Sequence, residues 1–248
     1  VRMLTRGLGA TNEQEITIIE GWSVDEIGGY LEQQGMGMKR DFFELVTKRC
    51  QVSGVGCQVL GGFDFLKDKP TEVGLEGYLF PDTYRVRKNA PPEEIVRVML
   101  ENFEVKLTPS LRQDIERQGK TIFDVVRMAS IVEAEVPHAQ DRPVIAGILW
   151  KRLDIGMALQ VDSTLNYAIG GKNRALSADE LRIESLYNSY KYRGLPPTPI
   201  GNPGLSALRT AIYPKHTAYW YFLSGKDNKT YFAKTLEEHN ENKAKYLK

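Results

Sequence analysis

The sequence predicts an α+β fold in two parts: a small α/β module over residues 1–72 and a larger domain of mixed helices and strands over 73–248. Three observations carry the prediction. Apolar residues recur at helical spacing in several separate segments, most of them opened by a capping residue. A few short β-rich runs lie between those helices, the last two split by a turn. The chain's 248 residues are 42% hydrophobic and 26% charged, ordinary for globular protein and long enough for two domains.

In chain order, Glu15 to Ile19 reads as a strand. Ser23 opens a helix with Glu26 in capping-box register, and Trp22 and Ile27 fit a hydrophobic staple. A second helix is expected from Lys39 to Cys50, after which Gly54, Gly56, Gly61 and Gly62 break the chain into loops. Leu75 to Val86 is aromatic-rich around central turn residues and reads as strand-loop-strand. Helices follow over Pro92 to Leu107, Leu111 to Gln118 and Thr121 to Glu135, with Pro137 stopping the last. Pro143, an apolar stripe from Val144 to Leu153 and Gly156 define the next. Ser177 and Glu180 form another capping box. A long loop from Tyr187 to Gly204 carries Pro196, Pro197, Pro199 and Pro203, and loops of that length are uncommon without a role. Asn202 and Pro203 fit the N-cap and first turn of a helix to Tyr213. Ala218 to Ser224 and Thr230 to Lys234 read as a hairpin, and Thr235 with Glu238 opens a closing helix.

A net charge of +1, with basic clusters no longer than Arg85-Val86-Arg87-Lys88, argues against a nucleic-acid partner. No apolar run approaches membrane-spanning length and no signal peptide is present, so the chain as given reads as a soluble fragment that starts at Val1. Cys50 and Cys57 could close a small loop or stay free; spacing alone leaves both open. No Cys/His cluster has zinc-site spacing, and no metal or cofactor is expected.

Chemistry is most visible at Met128 to Glu135, an apolar helix that ends on an acid. A carboxyl held there, where the chain turns out, can be partly desolvated beside a cleft. Desolvation raises its pKa and keeps a proton available near neutrality, which is what a glycosidic oxygen needs from a general acid. Against this stands the plain reading of a Glu at a frayed helix end. Glu133 and Glu135 lie about 200° apart on a helix, so they cannot act as a facing pair. Pattern alone does not choose between them. A two-carboxylate glycosidase would need its second acid elsewhere, and Asp162 is the nearest candidate in sequence.

Several ordered stretches resemble the YceG/MltG-like endolytic murein transglycosylase family: LEGYLFPDTY (75–84), ASIVEAE (129–135), RLDIGMALQVDST (152–164), YNSYKYRGLPPTPIGNPG (187–204) and YFAKTLEEHN (231–240). Ile16 to Leu31 also resembles the family's TIPEGW-type segment. The resemblance implies an enzyme that cuts the β-1,4 bond between N-acetylmuramic acid and N-acetylglucosamine in peptidoglycan glycan strands, leaving 1,6-anhydro ends. It implies that Glu135, the second Glu of the motif, is the acid and then the base. Gln160 and Asp162 would hydrogen-bond sugar or orient Glu135, though turn and N-cap duty would explain them equally. Tyr187, Asn188 and Tyr190 would stack on and bond the glycan, or else belong to the core. Arg85, Tyr167, Asn202 and His239 read as structural.

Members of that family usually carry an N-terminal membrane span and a LysM-like module, which this sequence lacks or truncates. The resemblance therefore implies action on the outer face of the bacterial cytoplasmic membrane through a missing anchor, beside cell-wall synthases as partners. Rival readings are a non-catalytic peptidoglycan-binding protein and a hydrolytic muramidase, which would need a second carboxylate. An aminodeoxychorismate lyase finds no support, because no lysine stands in a recognisable pyridoxal-phosphate context. Leu195-Pro196-Pro197-Thr198 mimics a sortase signal without the apolar tail.

Overall fold

A computed structural model describes residues 12–47, 62–136, 138–171 and 175–247. Cys50, Cys57, Gly54, Gly56, Gly61 and the end of the second expected helix lie outside the described residues. The fold is α+β. Strand β1 (Glu13–Thr17) pairs antiparallel with β2 (Thr83–Arg87), placing Ile16 opposite Tyr84. Alternation along the pair turns Ile16, Tyr84 and Val86 into the core. The pairing joins segments from either side of residue 72 in one sheet.

The strand-loop-strand expected over Leu75 to Val86 is half right. Only its second strand forms. Leu75 to Pro81 is a turn buried on both sides, so it has no free edge to offer a ladder. Its amides go elsewhere: Leu75 N donates to Val46 O at 2.8 Å, and Leu79 N to Asn202 Oδ1 at 2.9 Å. Gly77 sits at φ +89, where an added Cβ would lie 2.6 Å from Val126 Cγ1, so only glycine lets this turn approach the helix behind it.

Helices α1 (Val24–Gln33) and α2 (Lys39–Thr47) follow β1, and α1 has the Ser23/Glu26 capping box read from sequence. After β2 come α3 (Pro92–Lys106), α4 (Pro109–Arg117) and α5 (Ile122–Glu135). Thr121 and Asp124 cap α5 reciprocally, and Asp68 adds a second acceptor for the amides of Ile122 and Phe123. The buried residues of α5 wrap most of its circumference, from Phe123 through Val132, which makes it the central helix. Next are α6 (Arg142–Asp154), opened by Pro143, and the short α7 (Asp162–Ala168). Ser177 and Glu180 exchange their capping bonds, but only a single 3₁₀ turn, Glu180–Arg182, follows.

Helix α8 (Leu205–Ile212) starts later than expected, with Gly204 at its N-cap. Asn202 is not a cap. It is fully buried, and its Nδ2 donates to Trp22 O and to Glu76 Oε1. Side-chain bonds to two distant segments, Trp22 and the turn that holds Glu76 and Leu79, outcompete local capping here. The chain closes with the hairpin β3 (Tyr221–Ser224) and β4 (Thr230–Ala233) and with α9 (Leu236–Tyr246), capped by Thr235. One apolar cluster runs from Ile16 through α3, α5 and α6 to Ile212. The closing hairpin packs against its outside through Phe222 and Phe232, and α9 packs on the hairpin.

Candidate active site

Helix α5 ends at a cleft of ≈ 790 Å³. Its two terminal acids part company there. The Glu133 side chain is 6% exposed and ion-paired to Arg142 of α6. Glu133 Oε2 also accepts the Gly204 amide at 3.1 Å, so this carboxylate ties α5 to α6 and to the start of α8. Burial pushes the Glu133 pKa up, and the Arg142 charge pulls it back.

Glu135 stays partly open to the cleft. Its Oε1 accepts the Ser163 N–H at 2.8 Å from the first turn of α7. Among the described residues no hydrogen bond engages its Oε2. Loss of hydration raises the Glu135 pKa, the Ser163 side chain and amide oppose the rise, and the negative Asp162 adds to it. A carboxyl with a raised pKa and a free oxygen facing a cleft can hold and hand over a proton.

Of the other residues singled out from sequence, Gln160, Asp162 and Tyr190 line the same cleft. Tyr190 donates its hydroxyl to Asp162 Oδ1 at 2.6 Å, so the two form a fixed pair beside Glu135. Burial and the neighbouring Asp162 push the Tyr190 pKa well up, which keeps it a donor. Asp162 is the first residue of α7 and makes no cap bond; the amide of Ser163 is satisfied by Glu135 instead. Gln160 adopts φ 51, left-handed backbone that non-glycine residues rarely take, and its side chain is exposed at the cleft.

Asn188 and Tyr187 do not join them. Asn188 is fully buried, and its Nδ2 donates to Leu181 O and Ile183 O at 3.0 and 2.9 Å. Tyr187 bonds Thr198 through its hydroxyl and packs its ring on Tyr167. Both hold the proline-rich loop in place, and only Tyr190 of that loop reaches the cleft. The rest braces α5: Arg127 donates to Pro196 O, and Ile200 N donates to Ser130 Oγ.

Sequence reasoning missed the partners supplied from a distance. Arg152, at the end of α6, is buried and donates to Trp220 O and Leu159 O, joining the hairpin to the segment that carries Gln160 and Asp162. A buried arginine at the close of an apolar stripe was the available signal. Tyr221 and His239 stack at 5.2 Å on the far wall, where burial pushes the His239 pKa down to about 4.

Comparison with known proteins agrees with this architecture. A model of the YceG-like family matches residues 1–245. The chain belongs to the YceG-like family. An endolytic murein transglycosylase of Bacillus subtilis (strain 168) is 38% identical over 70% of this chain and 48% of its own length. One of Streptococcus pneumoniae (strain D39) is 30% identical over 96% of this chain and 47% of its own. The chain thus spans about half the length of the curated relatives it matches. A crystal structure of a YceG-like protein from Listeria monocytogenes superposes with a TM-score of 0.80 at 33% identity, covering 92% of this chain and 74% of that one. Among the described residues no helix is long and apolar enough to cross a membrane.

Proposed function

We propose that this chain is the catalytic part of an endolytic lytic transglycosylase acting on peptidoglycan glycan strands, with Glu135 as the general acid and then the base. The observation that carries the assignment is the contrast at the end of α5. Glu133 is consumed by Arg142 and Gly204, whereas Glu135 has one oxygen uncommitted beside the cleft. Membership of the family and the names of its relatives support the substrate class.

In this mechanism protonated Glu135 gives its proton to the O4 leaving oxygen of N-acetylglucosamine as the bond to C1 of N-acetylmuramic acid breaks. The Glu135 carboxylate then takes the proton of the muramyl C6 hydroxyl, and that oxygen closes on C1. The net change is one glycosidic bond for one 1,6-anhydro bond, with no water consumed and the acid regenerated. Ser163 N–H steadies the carboxylate in the second half, where it is charged. Tyr190 bonds Asp162 along the same wall, and in this reading Asp162 and Gln160, which line the cleft, bond sugar hydroxyls. We further propose action on the outer face of the cytoplasmic membrane, beside glycan-polymerising synthases.

Mass spectrometry of glycan digested by the protein tests the reaction. Anhydro-muramyl ends are expected. Reducing ends would make the enzyme a hydrolase using Asp162 as second carboxylate, and intact glycan would leave only binding. The rate should fall on the alkaline side as Glu135 loses its proton, because its raised pKa keeps the acid form populated to higher pH. A profile flat from about pH 5 to 9 contradicts the assigned role, since a carboxyl donor must titrate within that span.

A further inference from the structure

The cleft has two walls of unlike charge. One carries Glu135 and Asp162. The other is a single stripe of α9 in which Leu236, His239 and Lys243 recur at helical spacing, extended by Leu247 just beyond the helix end. Lys243 is the cation of this wall, and no carboxylate among the described residues pairs with it. The other charged group there is engaged, because Arg152 directs its donors to Trp220 O and Leu159 O. His239 is buried beside Tyr221 and stays neutral above about pH 4. Leu236 and Leu247, 50% and 43% exposed, line the same wall.

An unadorned glycan offers hydroxyls and acetamides, which call for neither an unpaired ammonium nor open leucines. The muramyl sugar offers more. Its O3 substituent is a lactyl ether, bearing either a free carboxylate or a peptide stem with carboxylates and alanyl methyls. Resting on the function proposed above, we infer that the Leu236–His239–Lys243–Leu247 stripe is a subsite for the carboxylate-bearing O3 substituent of the muramyl residue, with Lys243 as its charge partner. The subsite would fix which sugar of the strand lies against Glu135, because only muramyl residues carry that substituent.

The test is a binding titration in the Glu135→Gln background, which prevents turnover. Three probes are used: stem-bearing glycan oligomers, the same oligomers stripped to the lactyl carboxylate, and N-acetylglucosamine oligomers that carry no substituent. Lys243→Gln, at an exposed position that folding tolerates, should weaken the carboxylate-bearing probes about two- to fivefold, the effect of losing one exposed ion pair. Added salt should erase most of that difference. Binding of N-acetylglucosamine oligomers should not change. Loss on the stripped oligomers assigns the lactyl carboxylate, and loss on stem-bearing oligomers alone assigns the stem. Lys245→Gln removes the same charge outside the cleft-lining stripe and should change nothing. Equal weakening of all three probes, no weakening of any, or a matching effect of Lys245→Gln would overturn the subsite. If the unmodified protein cleaves glycan but Lys243→Gln binds normally, the subsite fails and the activity stands. If it cleaves nothing yet shows the Lys243 dependence, the activity fails and the subsite stands.

Discussion

Glu76 and Glu135 are both acids whose pKa burial pushes upward, but they sit in opposite surroundings. Glu76 is 5% exposed and sealed by donors: the Val24 amide reaches both its oxygens, Tyr167 OH bonds Oε2 at 3.0 Å, and Asn202 Nδ2 bonds Oε1 at 3.0 Å. It joins the start of α1, the buried turn before β2, α7 and the end of the proline-rich loop. Glu135 has the Ser163 amide on one oxygen and the cleft before the other. Desolvation alone therefore does not mark a proton donor. What separates the two is an acceptor left free where a ligand can arrive.

The largest effect should come from Glu135→Gln. An amide keeps the shape but cannot donate or take the proton, so cleavage should fall about 10²–10⁴-fold while the melting temperature stays nearly unchanged. Glu76→Gln should do the reverse, lowering stability and leaving kcat/KM close to unmodified well below the melting transition. Measuring both quantities on both variants decides the matter. Near-normal turnover by Glu135→Gln, or loss of turnover without loss of stability in Glu76→Gln, would exchange the roles.

Glu76→Ala goes further, because it strands the Val24 amide, Tyr167 OH and Asn202 Nδ2 in the interior. Each unpaired buried donor costs about 1–3 kcal/mol, so a loss of about 3 kcal/mol or more is expected. That corresponds to a melting temperature lower by roughly 6 °C or more in a chain of this size. A shift of a degree or less would mean that water replaces the carboxylate freely and that the pocket is not sealed.

How much of this was legible in the sequence follows from the range of the interactions. The caps of α1, α5 and α9 are bonds between residues three apart, and the sequence displays them directly. The apolar helix that stops on acids is legible as a pattern, but only the resemblance chooses Glu135 over Glu133. Asn202 was misread as a cap because its partners, Leu79 and Trp22, lie 123 and 180 residues away. Asn188 and Tyr187 looked like glycan contacts because polar and aromatic side chains in a loop suit either use; only the fold shows their polar atoms turned inward. The far wall of the cleft comes from α9, about a hundred residues after Glu135. No local pattern announces that the two will face each other.

The pH dependence of stability sharpens the comparison at a smaller scale. The folded pKa of Glu76 is raised from 4.5 to about 7, so between those values the folded chain holds a proton that the unfolded chain has released. Stability from this group is complete below about pH 4.5 and is lost as pH rises through about 7, a change of order 3 kcal/mol at most. Glu135 adds in the same direction. Glu76→Gln is neutral throughout, so its deficit against the unmodified protein should narrow as pH rises from 5 to 8. Urea unfolding at a series of pH values measures this, and a constant deficit would remove Glu76 as a titrating group.

The smallest effect tests whether the open side of the comparison carries strain for a purpose. Gln160 holds left-handed backbone at φ 51, fixed by its own amide on Ser189 O and by Arg152 on the carbonyl before it. That conformation costs an ordinary residue about 1–2 kcal/mol, which glycine avoids while losing part of the gain to its greater unfolded-state freedom. Gln160→Gly should therefore be equal to or up to about 1 kcal/mol more stable than the unmodified chain, and Gln160→Ala should gain nothing because it keeps the strain. Both variants lack the side chain that faces the cleft, so both should raise KM for glycan by a similar factor. A stability gain that comes with a poorer KM is the mark of strain retained to aim a contact. If both variants bind glycan as before, Gln160 is a turn residue only, and the proposed glycan contacts of this wall reduce to Asp162 and Tyr190.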